Sequence, residues 1–250
     1  MNKKLFYISA VIFTMVFSLP AQNNLQKTVD YNAQGIKEFN AGKYEASAGL
    51  FRLAIEQQSG DAAAYYNLGT AYYHLKEFER AKEAFQKTIK LSSEHAAAFH
   101  YLGLVYIETN EYSKAVDAFQ QSIRLKPDAG IVFHNLGFAY IQQKRFKDAA
   151  ESLKQARKLG FSNNETNINL AYAYAKQKQY AEAITEIQQV VNANPNNGKA
   201  RVFLGTLYVL TKDKLSALSE YEKIKAFDAP LAQKLYQAIY SDKVLIVSYK

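Results

Sequence analysis

The histidines are the side chains in this sequence best suited to binding a metal. His100 and His134 are separated by 34 residues, and His74 precedes them. A tetrahedral metal such as zinc needs at least three protein ligands, so the folded chain would have to bring all three rings together. A contact to a partner molecule is the interpretation that we favour for His100 and His134, and we predict no metal and no cofactor.

A serine nucleophile is suggested only by Glu45-Ala46-Ser47-Ala48-Gly49, which lacks the first glycine of a Gly-x-Ser-x-Gly elbow. The sequence also lacks a His-Glu-x-x-His motif, a phosphate-binding Gly-Lys-Ser loop and any cysteine. The acidic residues are scattered, and no pair stands out as a catalytic acid and base. We therefore expect a protein that is not an enzyme, with Ser47 in a structural role.

The basic residues concentrate in one segment of a chain whose formal net charge is +8. Between Gly130 and Asn163, Asp148 and Glu151 lie among a larger set of positive charges: Lys144, Arg145, Lys147, Lys154, Arg157 and Lys158. Such a segment could attract acidic lipid, nucleic acid or glycan. A solvated helix face is the simpler interpretation, and we expect no nucleic-acid partner.

The N-terminus has the layout of a secretory signal peptide. Lys3 and Lys4 precede an apolar run from Leu5 to Leu19, and small residues follow near Ala21. We predict a signal peptide over residues 1–21 and a linker over 22–27, and hence export to a bacterial periplasm or the exterior. An uncleaved membrane anchor is the alternative, although the run is shorter than the ~20 residues that a span needs.

The positioning elements follow from a 34-residue repeat that runs without insertion or deletion from Thr28 to Leu231. Six units start at Thr28, Ala62, Ala96, Gly130, Asn164 and Gly198. The eighth place is always small: Gly35, Gly69, Gly103, Gly137, Ala171 and Gly205. The twenty-fourth place is large: Phe51, Phe85, Phe119, Leu153, Ile187 and Tyr221.

These columns recur at helical spacing in each half of a unit, so each unit is predicted to be a first helix, a turn and a second helix. Glycine inside a helix costs about 1 kcal/mol relative to alanine. Its recurrence at the eighth place therefore indicates a close helix contact, with the large residue of the second helix packed against it.

In this period and in its Leu-Gly, Tyr, Ala, Phe and terminal Pro pattern, the chain resembles the tetratricopeptide repeat family. The segment from Ala62 to His95 shows the pattern best. The resemblance implies an all-α, right-handed superhelical solenoid of antiparallel helix pairs, with a concave groove that binds peptides or partner proteins. The family's chaperone-binding members hold a carboxylate with groove lysines, but no lysine occupies the corresponding places here.

Some residues depart from the pattern. Asn167 replaces an apolar residue inside the fifth unit, and Asn163 or Asn164 is a natural helix N-cap. Residues 232–250 are predicted to form a C-terminal capping helix, Ala232 to Ile239, and a tail. The run Val244 to Val247 in that tail either folds back over the last helix pair or joins a partner's sheet.

A second stripe of apolar and aromatic residues on the first helices, rotated by roughly 140° from the packing stripe, is our candidate binding site. Contacts between neighbouring first helices will bury part of it, and the remainder would form a groove. Its predicted residues are Phe39, Tyr66, Tyr73, His100, Leu104, Ile107, His134, Phe138, Ile141 and Tyr172.

The sequence thus predicts an exported scaffold that binds a partner protein through this groove, in an envelope or secretion-related assembly. Two alternatives remain open. One is a structural subunit anchored by its signal helix, without a groove ligand. The other is a glycan or peptidoglycan-binding module that uses Tyr66, Tyr73 and Tyr172 as stacking faces.

Overall fold

The computed structural model describes residues 29–240, which form thirteen α-helices and no strand. The first helices of the units are α1 (Tyr31–Asn40), α3 (Ala62–His74), α5 (Ala96–Glu108), α7 (Gly130–Gln142), α9 (Asn164–Lys176) and α11 (Gly198–Leu210). The second helices are α2 (Tyr44–Gln57), α4 (Phe78–Leu91), α6 (Tyr112–Leu125), α8 (Phe146–Lys158), α10 (Tyr180–Ala193) and α12 (Lys214–Lys225). The last helix is α13 (Ala229–Tyr240). The prediction of an all-α solenoid is confirmed.

The small column at the eighth place allows the two helices of a unit to touch. A Cβ atom added to Gly103 would lie 2.5 Å from Cε1 of Phe119, and one added to Gly69 would lie 2.7 Å from Cε1 of Phe85. Both phenylalanines are fully buried. The absence of a side chain therefore makes room for the ring that fills the centre of the pair, as the columns predict.

Ser47 also lies at the contact between the two helices of its unit. It is fully buried, and its hydroxyl donates a hydrogen bond to the carbonyl of Gly35 at 2.9 Å. This bond gives the buried hydroxyl a hydrogen-bond partner on the backbone of the neighbouring helix. Its role is structural.

The turn inside each unit contains one residue with a left-handed backbone. These residues occupy the same place in all six units and have φ between 60° and 75°: Gly42, Lys76, Asn110, Lys144, Lys178 and Lys212. Only the first is a glycine, although a left-handed conformation is unfavourable for residues with a Cβ. At the lysines, the tight turn imposes the left-handed conformation, although lysine itself does not favour it.

The sixth unit is completed by α13, which packs against both α11 and α12. A Cβ atom on Gly205 would lie 2.5 Å from Cδ2 of Leu235, so a residue of α13 takes the place expected for Tyr221. Tyr221 instead packs its ring 5.4 Å from that of Tyr236. By packing against both helices, α13 covers a face of the sixth unit that would otherwise be open.

The predicted signal peptide, linker and C-terminal tail lie outside residues 29–240. None of the helices in that range has the length and the apolar character that a membrane span requires.

Buried polar groups occur inside the fifth unit and at its junction with the fourth unit. Asn167 is buried inside unit five, where its Nδ2 donates to Oε1 of Gln189 at 3.2 Å and its Oδ1 has no hydrogen-bond partner among the described residues. Arg157 reaches from α8 to α10, where its Nη1 lies 2.9 Å from each carboxylate oxygen of the buried Glu186. Arg157 is therefore an inter-repeat contact, not part of the solvated basic face on which the sequence places it.

Candidate binding groove

The first helices lie side by side, with direct contacts between α1 and α3, α3 and α5, α5 and α7, and α7 and α9. This lateral packing determines how much of the second stripe stays open. Among the ten predicted groove residues, nine are half-buried and His134 is buried. The stripe is thus mostly the seam between repeats, and it is open only in part.

Tyr66 and Tyr73 belong to an aromatic cluster at the seam between α3 and α5. The ring of Tyr101 lies 5.8 Å from each of them in an edge-on orientation, and it stacks on Phe85 at 5.5 Å. Burial raises the pKa of Tyr66 to about 12, and burial together with Glu108 raises the pKa of Tyr73. These contacts leave both tyrosines only half-exposed, which reduces the ring surface that they could offer to a sugar.

The other aromatic and aliphatic members of the stripe also pack on neighbours. Phe39 contacts Tyr44 and His74, each at 5.2 Å between ring centroids. Leu104, Ile107 and Ile141 pack against the main core, and Tyr172 packs against the core of units five and six.

A ladder of side-chain pairs runs across these seams. In each step, the residue at the sixth place of one unit contacts the residue at the fifth place of the unit before. Nδ2 of Asn67 donates to Oδ1 of Asn32 at 2.9 Å, and Tyr101 contacts Tyr66. Nδ2 of Asn135 lies 2.9 Å from Nε2 of His100. The partners differ chemically, but the placement is the same.

The hydrogen bond to Asn135 determines the tautomer of His100. An amide nitrogen can only donate, so Nε2 of His100 is the acceptor and the ring proton sits on Nδ1. Burial lowers the pKa of His100 to about 4. The ring is therefore neutral near pH 7, and it serves to join α5 to α7.

His134 is held differently. Its Nδ1 lies 3.0 Å from Oγ1 of Thr166, and that hydroxyl donates to Oδ1 of Asn163 at 2.9 Å. Because the hydroxyl has one proton, it must accept from Nδ1–H of His134. The same Asn163 oxygen accepts from the backbone N–H of Thr166 at 2.8 Å, so Asn163 is the N-cap of α9.

This network corrects the expected place of His134. The ring is only 5% exposed and packs 5.2 Å from Phe161. Burial lowers its pKa, opposed by Glu165, whose Oε1 lies 3.8 Å from Nε2. The hydrogen bond to the Thr166 hydroxyl holds the ring of His134 in the junction between units four and five, away from the open groove. His74 stacks on Tyr44 at 4.7 Å, and residues 29–240 contain no group of three potential metal ligands.

The open part of the groove is a cavity of about 550 Å³ between α5, α7 and α9. Apolar side chains line part of it: Ile107, Phe138 and Ile168. Glu108, Glu165 and Asn169 are among the polar side chains that line the rest, and no lysine or arginine of the described residues does so. Ile107 and Phe138 are thus the two predicted groove residues that the structure brings to one opening.

Asn169 is the residue that should continue the ladder at this point. It occupies the sixth place of unit five, so its expected partner is His134 at the fifth place of unit four. Its Nδ2 atom is buried and has no hydrogen-bond partner within the described structure. Because His134 is hydrogen-bonded to Thr166, the expected contact between Asn169 and His134 does not form.

Glu108, Glu165 and Asn169 line the cavity but are not among the predicted groove residues. A signal for Asn169 existed, because Asn67, Asn135 and Asn169 all occupy the sixth place of their units. The two glutamates have no such signal, since exposed helix glutamates are common everywhere in the chain.

A larger cavity of about 820 Å³ lies along α8, on the side of the second helices. Lys147, Lys154 and Lys158 line it together with Asp148 and Glu151. Charges of both signs are mixed along the helix, which fits a solvated face.

Known proteins share this architecture. The family model of a tetratricopeptide repeat domain, described as the cilia and flagella-associated protein 70 C-terminal domain, matches residues 22–233. The crystal structure of YrrB, described as a TPR protein with an unusual peptide-binding site, is 25% identical, with a TM-score of 0.69, covering 75% of this chain and 97% of its own.

Two further structures show the fold alone. PilF of Pseudomonas aeruginosa is 22% identical, with a TM-score of 0.68, covering 83% of this chain and 95% of its own. MamA of Desulfovibrio magneticus is 18% identical, with a TM-score of 0.62, covering 67% of this chain and 94% of its own. No curated protein matches the sequence significantly.

Proposed function

The chain belongs to the tetratricopeptide repeat family, and from this premise we propose that it is an adaptor that holds a segment of a partner protein on the side of its first helices. The observation that carries the proposal is the cavity between α5, α7 and α9. It is the place where the ladder of inter-repeat contacts is interrupted and where apolar side chains remain open to a ligand.

The chemistry of the cavity suits a peptide better than a reaction. Apolar side chains give buried contact area, and a few polar groups around them set orientation, which is the usual composition of a recognition site. YrrB, the relative of 25% identity, is described as having a peptide-binding site. A scaffold of rigid helix pairs presents such a surface without having to move.

We further propose that the adaptor is exported, on the basis of the basic and apolar N-terminal residues 1–21. Its working place would then be the periplasm or the exterior of a bacterial cell, within an envelope or secretion-related assembly. The mass of the mature protein tests this step, since loss of residues 1–21 is expected and retention of Met1 would favour the anchored alternative.

Quantitative affinity capture tests the adaptor proposal. The full chain and two variants, Phe138→Ser and Lys154→Ser, would be compared as baits in the native envelope, with the captured protein measured by mass spectrometry. We expect Phe138→Ser to lose the partner, because interface energy concentrates in buried aromatic anchors. Lys154→Ser, on the second-helix side, should retain it. Equal retention by both variants would overturn the proposal.

A further inference from the structure

The cavity between α5, α7 and α9 is acidic on a protein whose net charge is +8. Among the described residues, Glu108 and Glu165 are the charged side chains that line it. Neither of them forms an ion pair with a lysine or arginine of residues 29–240, although nine ion pairs join basic and acidic side chains elsewhere in those residues. Oε1 of Glu165 lies 3.8 Å from Nε2 of His134, and the side chain of Glu165 is 68% exposed.

The two cavity carboxylates differ from those surface glutamates that are paired within one helix or turn. Glu77, Glu79 and Glu111 each pair with a basic side chain three residues further along the same helix or turn. The two cavity carboxylates come from different helices, α5 and α9, and project beside the same apolar patch. Their charge is thus left available to a cation that enters the cavity.

The apolar lining specifies what kind of cation fits. Ile107, Phe138 and Ile168 are half-buried, so they offer contact area without being closed over. A free metal ion would gain nothing from them. Lysine and arginine side chains lay their methylene stems along apolar surface while the charged end remains near water or a carboxylate.

Asn169 adds a requirement for a hydrogen-bond acceptor. Its Nδ2 has no partner in the described structure, and the residue lines the cavity. The terminal torsion of an asparagine side chain is soft, so the amide can turn its nitrogen toward an acceptor placed in the opening. A peptide carbonyl is such an acceptor, and it accompanies every residue of an extended segment.

From these observations we propose that the cavity recognises a short extended segment in which a lysine or arginine adjoins an apolar residue. The basic end group lies between Glu108 and Glu165, the apolar side chain contacts Phe138, and a backbone carbonyl accepts from Asn169. This inference rests on the proposed function of the first-helix side. The proposed ligand carries a positive charge, whereas the ligand of the family's chaperone-binding members is a carboxylate.

A library of random peptides of about nine residues tests the inference on the full chain. The immobilised wild type would be compared with Glu108→Gln/Glu165→Gln, with Phe138→Ser and with the control Glu83→Gln/Glu151→Gln. The control removes the same amount of charge from the second helices. Circular dichroism and melting would show that all four proteins remain folded.

We expect peptides retained by the wild type to be enriched in lysine or arginine next to an apolar residue. Glu108→Gln/Glu165→Gln should weaken those peptides by roughly tenfold at low salt, as expected for two partly exposed ion pairs, and less at high salt. The control should leave their binding unchanged, and Phe138→Ser should weaken all retained peptides.

Other results would distinguish a failure of the basic-segment inference from a failure of the proposed function. Retention of peptides without basic enrichment, or equal affinity for the Glu108→Gln/Glu165→Gln variant, would overturn the basic-segment inference and leave the groove in place. A wild type that retains no peptide, or a Phe138→Ser variant that binds like the wild type, would overturn the proposed function and this inference with it.

Discussion

Asn169 and His134 occupy the positions that Asn135 and His100 occupy one repeat earlier, yet they are not hydrogen-bonded to each other. Asn135 lies 2.9 Å from Nε2 of His100, whereas Asn169 has no partner for its Nδ2. The difference arises because Thr166 takes the Nδ1–H of His134 at 3.0 Å. A local exchange of partners thus leaves one amide free at the edge of the cavity.

The two asparagines should therefore contribute differently to stability. Asn135→Ala removes a hydrogen bond and leaves a ring nitrogen of His100 unpaired, at a cost of about 1–2 kcal/mol. Asn169→Ala removes no hydrogen bond and should change the free energy of unfolding by less than about 0.5 kcal/mol. Urea unfolding of both variants measures this, and an equal loss would show that Asn169 is partnered in solution.

His100 should make stability depend on pH. Its pKa is lowered from 6.5 to about 4 in the folded chain, so between these values the unfolded chain binds the additional proton. Stability must then rise with pH across this window and fall as pH decreases from 6.5 toward 4.

The comparison with His100→Gln isolates this effect, because glutamine retains an acceptor for Asn135 and does not titrate. The wild type should lose up to about 3 kcal/mol more than the variant over the window, since one pKa unit corresponds to about 1.4 kcal/mol. His134, whose pKa is also lowered, titrates in both proteins. Parallel pH profiles would contradict the buried, neutral state of His100.

The contact between Gly103 and Phe119 predicts a compensating pair. Gly103→Ala would place a Cβ atom 2.5 Å from the ring of Phe119 and should destabilise the chain by about 1–3 kcal/mol. The fifth unit uses a different solution, because Ala171 and Ile187 are both fully buried at the equivalent places.

Copying that solution should restore part of the loss. The double variant Gly103→Ala/Phe119→Ile should be more stable than the sum of the two single changes by about 1 kcal/mol, which a double-mutant cycle measures. Additive effects would mean that the two residues do not share one contact.

Much of this fold could be predicted because the repeat displays each contact several times. The glycine column and the large column are visible in the sequence, and the structure places them against each other at Gly69 and Phe85. The role of Leu235 could not be predicted, since α13 lies outside the repeat and has no column to be compared with. The left-handed turn at Lys144 was equally hidden, because lysine has no preference for it.

The candidate site was harder to predict than the fold. The stripe correctly placed Ile107 and Phe138 on the first-helix side, beside one cavity. It could not distinguish residues open to a partner from residues in the seam, because lateral packing of α7 against α9 decides that. His134 shows the difference, since its burial depends on a threonine 32 residues further along the chain.

Arg157 and Lys147 should also behave differently, although both belong to the basic segment. Arg157→Ala leaves the buried carboxylate of Glu186 unpaired and should cost about 2 kcal/mol or more. Lys147→Ala, on an exposed position, should change stability by less than about 0.5 kcal/mol. The double variant Arg157→Met/Glu186→Leu should recover stability, as replacement of a buried pair by apolar groups commonly does. Chemical unfolding measures all three.

We propose that the partner lies on the side of the first helices. A photo-reactive amino acid placed at Phe138 or at Lys154, in the full chain and in the native envelope, tests it by marking whatever each position touches. We predict a crosslinked partner from position 138 and none from position 154, with both proteins melting like the wild type. A crosslink from position 154 alone would place the partner on the second-helix face and contradict the account.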